Sequence, residues 1–124
     1  PREATIEAPV GRDPYNRVRQ KIIVSGRNAR TRFKLLEKIG SYSLLEVQLD
    51  TGRMHQIRVH MQGIGHPVLG DRIYGRTPNE PGLERQFLHA SRLRFRHPIT
   101  FKNLDFCSPL PTSLQNTLAQ LRKL

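Results

Sequence analysis

Basic side chains recur at every second position in two stretches of the chain. The two rows are Arg92, Arg94 and Arg96, and Arg17, Arg19 and Lys21. Alternate side chains of a β-strand point to the same face, so each row would present three cations together. Arginine suits phosphate oxygens because its planar guanidinium donates several hydrogen bonds in a fixed geometry. The rows indicate either a track for a nucleic-acid backbone or a solvated charged face.

The histidines do not have the spacing of a metal site. The chain has five histidines and one cysteine. His55 and His60 are five positions apart, whereas a zinc-binding protease helix has its histidines at i and i+4 with a glutamate between them. The sequence therefore predicts no metal and no internal disulfide.

The charge balance favours a polyanionic partner. Lysine and arginine total 21 against 10 acidic residues, which gives a net charge of +11 and a pI of about 11.1. Such a surface attracts nucleic acid. No run approaches the roughly 20 apolar residues that a membrane span needs, and no signal peptide is visible. We therefore expect no membrane partner and a cytoplasmic location.

Three motifs follow one another between residues 49 and 98. They are LDTGRMHQIRVH at 49–60, GHPVLGDRIYG at 65–75 and LHASRLRFRHP at 88–98. In this order they resemble the signature segments of RNA pseudouridine synthases of the large-subunit ribosomal RNA type. A weaker match, ARTRFKLL at 29–36, lies upstream. The resemblance covers about residues 20–124.

The resemblance implies an isomerase that converts uridine to pseudouridine in RNA, with ribosomal RNA favoured over transfer RNA. Enzymes of this family break the N-glycosidic bond, rotate the base and rejoin it through carbon 5. They use one aspartate, no metal and no organic cofactor. The target base must be flipped out of its stack into a pocket.

The resemblance also implies the residues of the site. Arg58 stands where the family has a basic residue facing the catalytic aspartate, and a near cation keeps a carboxylate ionised; the alternative is a phosphate-binding or solvent-facing arginine. Phe33 stands where the family usually has a tyrosine that stacks on the base, and a phenyl ring keeps that stacking face; the alternative is a core residue of a strand. Arg53 is expected to meet phosphate or brace a loop. His55 and Gln56 are expected at the substrate site, fixing that loop by hydrogen bonds.

The family's catalytic aspartate has no counterpart in the 124 residues. In the family it lies in a segment resembling His-Arg-Leu-Asp followed by Thr-Ser-Gly, upstream of the motifs found here. Asp71 is not expected to replace it, because the family has this aspartate in a structural loop and an aspartate after glycine suits a turn. We therefore expect a C-terminal part of a synthase domain that binds RNA without turnover by itself. The alternative is a non-catalytic, basic RNA-binding module.

The elements that must position these residues follow from the hydrophobic pattern. Strict alternation predicts strands and a 3.6-residue period predicts helices. The predicted strands are 4–8, 22–24, 30–38, 43–50, 87–95 and 101–107, and the predicted helices are 55–62 and a C-terminal one marked by Leu114, Leu118 and Leu121. The fold class is therefore α+β, with a mostly antiparallel sheet and two helices.

The N-terminal segment is predicted to lie outside the domain. Its prolines and glycine favour an arm or linker over residues 1–19, which leaves 20–124 as the domain. The family's strands belong to a larger shared sheet, so the chain by itself would expose a sheet edge. We expect self-association through that edge, or an N-terminal arm folded over it.

Overall fold

A computed structural model describes residues 2–16, 18–75, 86–89, 92–96 and 98–123. The described elements, in chain order, are β1 (Glu3–Glu7), β2 (Val10–Arg12), β3 (Gln20–Ile22), β4 (Arg30–Ile39), β5 (Tyr42–Leu49), α1 (Gln56–Gly63), β6 (Arg92–Arg96), β7 (Asn103–Cys107) and α2 (Thr112–Arg122). All their strand pairings are antiparallel. The predicted α+β class, with two helices among the described residues, is confirmed.

The β4–β5 hairpin supplies two strands of the three-stranded sheet. Its register runs from Thr31 opposite Leu49 to Ile39 opposite Tyr42. The register shifts between Leu35 and Glu37, so one residue of β4 bulges. The hairpin predicted from alternation is confirmed. Before the bulge, every second residue of β4 faces the same side of the sheet.

The N-terminal strand covers the second edge of β4. β1 pairs with β4, and the sheet order is β1-β4-β5. β2 pairs in turn with β3. The segment 1–19, predicted as an arm or linker, thus contributes two strands, because β5 satisfies only one edge of β4 and the other edge needs a partner for its backbone groups. A domain boundary at residue 19 stays a prediction.

β3 ends at the first residue of the β-branched run that predicted it. It spans Gln20–Ile22 and not 22–24. The Ile23 N–H donates to the Pro9 carbonyl, and Val24 is 96% exposed in the turn that follows. The predicted strand therefore reached two residues too far, since Val24 belongs to a turn.

The β6–β7 hairpin is shorter than predicted. Residue 87 is not in a strand, since the Phe87 N–H donates to the Leu69 carbonyl of an earlier loop. β7 cannot begin at Phe101, which has a φ of +57°, a value foreign to strands. The arginines of the predicted row occupy alternate positions of β6, in which Arg92, Arg94 and Arg96 lie opposite Cys107, Asp105 and Asn103.

The two helices bury one face each. α1 contacts β3 and β4 and buries Gln56, Val59, His60 and Met61. α2 buries Leu114, Leu118 and Leu121, as its period predicted. Among the described residues, neither helix is long and apolar enough to cross a membrane.

Candidate active site

Arg58 projects from α1 and is held by Asp71 through two parallel hydrogen bonds. Its Nε donates to Oδ2 at 2.7 Å and its Nη2 donates to Oδ1 at 2.9 Å. The Asp71 side chain is fully buried and that of Arg58 is 12% exposed. Among the described residues, Nη1 of Arg58 has no hydrogen-bond partner. The pair fixes the guanidinium and leaves one of its edges for a further acceptor.

Both partners of this pair keep their charges. Burial raises the pKa of Asp71, but the hydrogen bond and charge of Arg58 and the N–H groups of Tyr74 and Ile73 outweigh it, so that the pKa lies below its ordinary value. The hydrogen bond to Asp71 raises the pKa of Arg58, against the opposing effect of burial. Asp71 is thus a buried anion with its oxygens engaged, which suits a structural role.

Two glycines shape the loop that carries Asp71. Gly70 has a φ of +77°, a conformation that residues with a Cβ rarely adopt. A Cβ at Gly75 would overlap the carbonyl oxygen of Asp71, to which the Gly75 N–H donates at 2.8 Å. The tight turn between them brings the N–H groups of Ile73 and Tyr74 to within 3.1 Å of Asp71 Oδ1.

Tyr74 connects this loop to α1 and β3. Its ring lies under two guanidinium groups, with the Cζ of Arg58 5.0 Å and that of Arg19 5.1 Å from the ring centroid. Its hydroxyl accepts the Gln20 N–H at 2.8 Å, and the residue is 3% exposed. Tyr74 was not among the residues predicted for the site, although its position in a short loop between Gly70 and Gly75 was an available signal.

His55 is the N-cap residue of α1, directly before Gln56. Its backbone is left-handed, with φ 55° and ψ 21°, and its carbonyl accepts the Val59 N–H. Its Nδ1 lies 2.8 Å from the Tyr74 hydroxyl. Burial lowers the pKa of His55, the charge of Arg58 lowers it further, and Asp71 opposes both. These effects favour a neutral imidazole beside Arg58.

Gln56 fixes the loop before α1 through both ends of its amide. Its Nε2 donates to the Arg30 carbonyl and to Thr31 Oγ1 at 2.9 Å each. Its Oε1 accepts from the Thr51 hydroxyl at 2.7 Å and from the Arg53 N–H at 3.0 Å. These four bonds fix the loop around a side chain in a residue that is 2% exposed. Contact of Gln56 with the substrate stays a prediction.

His60 continues this buried network toward β1. Its Nε2 donates to the Ala8 carbonyl at 2.9 Å, and its Nδ1 lies 2.8 Å from Thr31 Oγ1. Both Thr31 and His60 are fully buried. This role of His60 was not predicted from the sequence. The network joins α1 to β4 and to Ala8, the residue after β1, and so ties the helix that carries Arg58 to the sheet.

Arg53 braces the same loop from the outside. Its Nε donates to the Asn28 carbonyl at 2.9 Å. This matches one of the two roles expected of Arg53, the bracing of a loop. Contact with phosphate through its remaining N–H groups stays a prediction.

A family model matches the half of the chain that contains Arg58. The RNA pseudouridylate synthase model matches residues 1–63, which run from β1 to the end of α1 and include Arg58. The chain belongs to the RNA pseudouridine synthase family.

Similar proteins carry the family name. An uncharacterized RNA pseudouridine synthase of Chloroflexus aurantiacus is 50% identical over 122 residues, which cover 98% of this chain and 39% of that protein. The ribosomal large subunit pseudouridine synthase D of Nitrosomonas europaea is 42% identical, with 99% and 38% covered. The structure of human RNA pseudouridylate synthase domain containing 1 has a TM-score of 0.71 at 28% identity and covers 100% of this chain and 61% of that one. The chain thus spans about 39% of the first of these curated relatives.

The remaining residues expected at the synthase site lie on two sheets. Phe33 is half-buried in β4, two positions after Thr31, and therefore on the face that contacts α1. Arg92, Arg94 and Arg96 belong to the separate β6–β7 sheet. Base stacking by Phe33 and backbone binding by the β6 arginines stay predictions. The part of the chain that the structure describes contains no group of three or more His, Cys, Asp or Glu side chains that could hold a metal ion.

Proposed function

We propose that this chain is the C-terminal part of an enzyme that isomerises uridine to pseudouridine in ribosomal RNA, with transfer RNA as the less favoured substrate. The observation that carries the proposal is the cation of Arg58, which the fully buried carboxylate of Asp71 holds through two hydrogen bonds. The chain that carries it is similar to a large-subunit pseudouridine synthase. The proposed location is the cytoplasm. Tritium release from carbon 5 of labelled uridine tests the activity.

In the proposed reaction, the bond between ribose C1′ and uracil N1 breaks and a bond between C1′ and C5 forms. The proton on C5 is then lost to solvent and N1 takes up a proton, so that the product is an isomer of uridine. The catalytic aspartate comes from a segment outside these 124 residues. The Nη1 edge of Arg58 donates to that carboxylate and keeps it ionised, while Asp71 and the Tyr74 ring hold the guanidinium in place.

We also propose which side chains contact the RNA substrate, from where they lie in the fold. The ring of Phe33 stacks on the flipped base, for which a phenyl face suffices. Arg53 meets a phosphate with the N–H groups that do not brace Asn28. His55 contacts the substrate beside Arg58. We propose that the reaction needs neither a metal nor an organic cofactor.

A non-catalytic RNA-binding module is the second candidate. The net charge of +11 and the lack of a His-Arg-Leu-Asp segment in the chain favour it. A binding module has no need of a buried Asp71–Arg58 pair with an open edge, which is why we prefer the enzyme.

The 124-residue chain alone is expected to bind RNA with a strong dependence on salt and to release no tritium. Each neutralised phosphate of single-stranded RNA should contribute about −0.7 to the slope of log K against log salt. Fluorescence anisotropy over a salt series measures this slope. Arg94→Gln should make it shallower by about one phosphate contact, whereas Arg122→Gln, which removes an arginine already paired with Glu37, should not. A slope near zero, or clear turnover, would contradict this prediction.

The chain alone is also proposed to self-associate through β5. Among the described strands, β5 pairs only with β4, so its outer edge offers unpaired backbone groups. The positive charge opposes association, and salt screens that repulsion over about 10 Å at 0.1 M. The sedimentation coefficient should therefore rise with salt.

A matched pair of substitutions tests whether β5 is the contact. Leu49 on β5 is 44% exposed and Leu36 on β4 is 54% exposed. Leu49→Lys should reduce association, because it adds a charge at the edge strand, whereas Leu36→Lys adds the same charge to a central strand and should have less effect. A monomer at low and at high salt would show that the edge is already satisfied.

A further inference from the structure

The left-handed backbone of His55 directs its ring onto Tyr74. The two rings meet edge to face, with centroids 5.6 Å apart and planes inclined by 77°. Non-glycine residues seldom adopt a φ of +55°, although histidine does so more readily than most. Such a conformation persists only where the surroundings fix it, and it is more frequent at functional sites.

The order of hydrogen bonds at Tyr74 determines the tautomer of His55. The Gln20 N–H can only donate, so the Tyr74 oxygen accepts it. The single hydroxyl proton then points to His55 Nδ1, 2.8 Å away. A protonated Nδ1 would leave that proton without an acceptor in a residue that is 3% exposed, which is costly for a buried donor. The ring therefore carries its proton on Nε2.

The charged groups around His55 agree with a neutral ring. Arg58 and Asp71 are the charges that act on the His55 ring, and Asp71 is already engaged by Arg58. A further cation, Arg19, lies over the Tyr74 ring. Burial and the Arg58 charge lower the pKa of His55, while Asp71 opposes them. A second cation here would also compete with Arg58 for the catalytic carboxylate.

We propose that Tyr74 is a positioning residue whose hydroxyl holds His55 as a neutral imidazole with its Nε2–H turned to a neutral oxygen of the RNA substrate. This rests on the proposed function. The accepting oxygen belongs to the class of the uracil carbonyls, which a neutral donor suits better than a phosphate. Among the described residues, Nε2 has no hydrogen-bond partner, and His55 is partly exposed.

Tyr74→Phe in the full-length, active enzyme tests the proposal. It keeps the ring on which Arg58 lies and removes only the hydroxyl. The kcat should fall roughly tenfold, as expected for one lost hydrogen bond at a reacting centre. Nδ1 then becomes free to take a proton, so the pKa of His55 should rise toward its ordinary value. Activity of the variant should therefore decline at a higher pH than that of the wild type as the solution is acidified.

The controls separate the hydroxyl from general damage. Tyr15→Phe removes the same atom from a residue that is 94% exposed and should leave the pH profile unchanged. His55→Gln should retain more activity than His55→Asn, because only glutamine reaches far enough to place a donor near Nε2. Glutamine does not titrate, so His55→Gln should also abolish the shift caused by Tyr74→Phe.

The outcomes distinguish this proposal from the proposed function. An inactive wild-type enzyme would overturn the function. An active wild type with the same pH profile in Tyr74→Phe would overturn only the role of Tyr74. The ¹⁵N shifts of labelled histidine in the wild-type enzyme provide a readout that needs no variant, and a proton on Nδ1 of His55 would also overturn it.

Discussion

Replacing Arg58 with alanine in the complete enzyme should lower the kcat for pseudouridine formation by at least about 100-fold, the scale of losing a main electrostatic group in an active site. Without the cation, the pKa of the catalytic aspartate rises and the carboxylate loses its partner. Arg58→Lys should retain more activity, because a point charge replaces part of this effect without the two-pronged contact to Asp71. Initial rates of tritium release measure both variants.

Arg58→Ala could lower activity by destabilising the fold, because it changes the surroundings of the buried Asp71 carboxylate. Control variants separate the two effects. Arg58→Ala leaves Asp71 unpaired and fully buried, so stability must be measured alongside activity. The double variant Arg58→Gln/Asp71→Asn removes both charges and should recover stability without recovering activity. Arg122→Ala breaks an exposed two-pronged pair with Glu37 and should leave kcat unchanged. Full activity in Arg58→Ala would reject the role of Arg58, and Arg53 would be the next candidate.

Asp71→Ala should destabilise the fold by about 3–5 kcal/mol, the cost of breaking a buried ion pair from one side. The substitution leaves the guanidinium of Arg58 without its partner and the N–H groups of Ile73 and Tyr74 without an acceptor. Asp71→Asn should cost less, since its amide oxygen still accepts those N–H groups. The free energy of unfolding in urea measures both.

The pH dependence of stability provides a second readout of Asp71. Its pKa is lowered in the folded protein, so its contribution is complete above the unfolded value of about 3.9. The contribution is lost as the pH falls below that value and through the folded pKa. Asp71→Asn should lack this loss.

Asp50 offers a matched surface control for the Asp71 variants. It pairs with Arg30 and Arg32, but its side chain is 30% exposed. Asp50→Asn should therefore change the unfolding free energy by only about 0–1 kcal/mol. An equal effect at Asp50 and Asp71 would contradict the importance of burial.

The elements predicted well are those whose pattern is local. The alternation of Leu45, Val47 and Leu49 identified β5, and the period of Leu114, Leu118 and Leu121 identified α2. Pairing between distant segments carried no such signal. The place of β1 on β4 and the φ of +57° at Phe101 both depend on tertiary structure.

The buried face of α1 shows why polar residues mislead such predictions. Ile64 continues the apolar spacing of Ile57 and Met61, yet it is 43% exposed. Gln56 and His60 are buried instead, because Thr31 and the carbonyls of Arg30 and Ala8 satisfy them. Hydrophobic periodicity counts such residues as exposed, since their partners are distant in sequence.

Four residues of the candidate site could be selected from the sequence because they lie in a single motif. Arg53, His55, Gln56 and Arg58 lie within six positions, and the first turn of α1 brings them together. Tyr74 was missed because its importance comes from contacts with Gln20, His55 and Arg58. Only the folded chain brings these three residues to one ring.

Tritium release from RNA labelled at carbon 5 of uridine distinguishes a pseudouridine synthase from a protein that only binds RNA. The full-length protein should release tritium from ribosomal RNA without added metal or cofactor, and the 124-residue chain should release none while still binding that RNA. Release must accompany pseudouridine formation, because the C5 proton leaves only when C5 has bonded to C1′. Binding without release by the full-length protein would contradict the claim and favour a non-catalytic RNA-binding module.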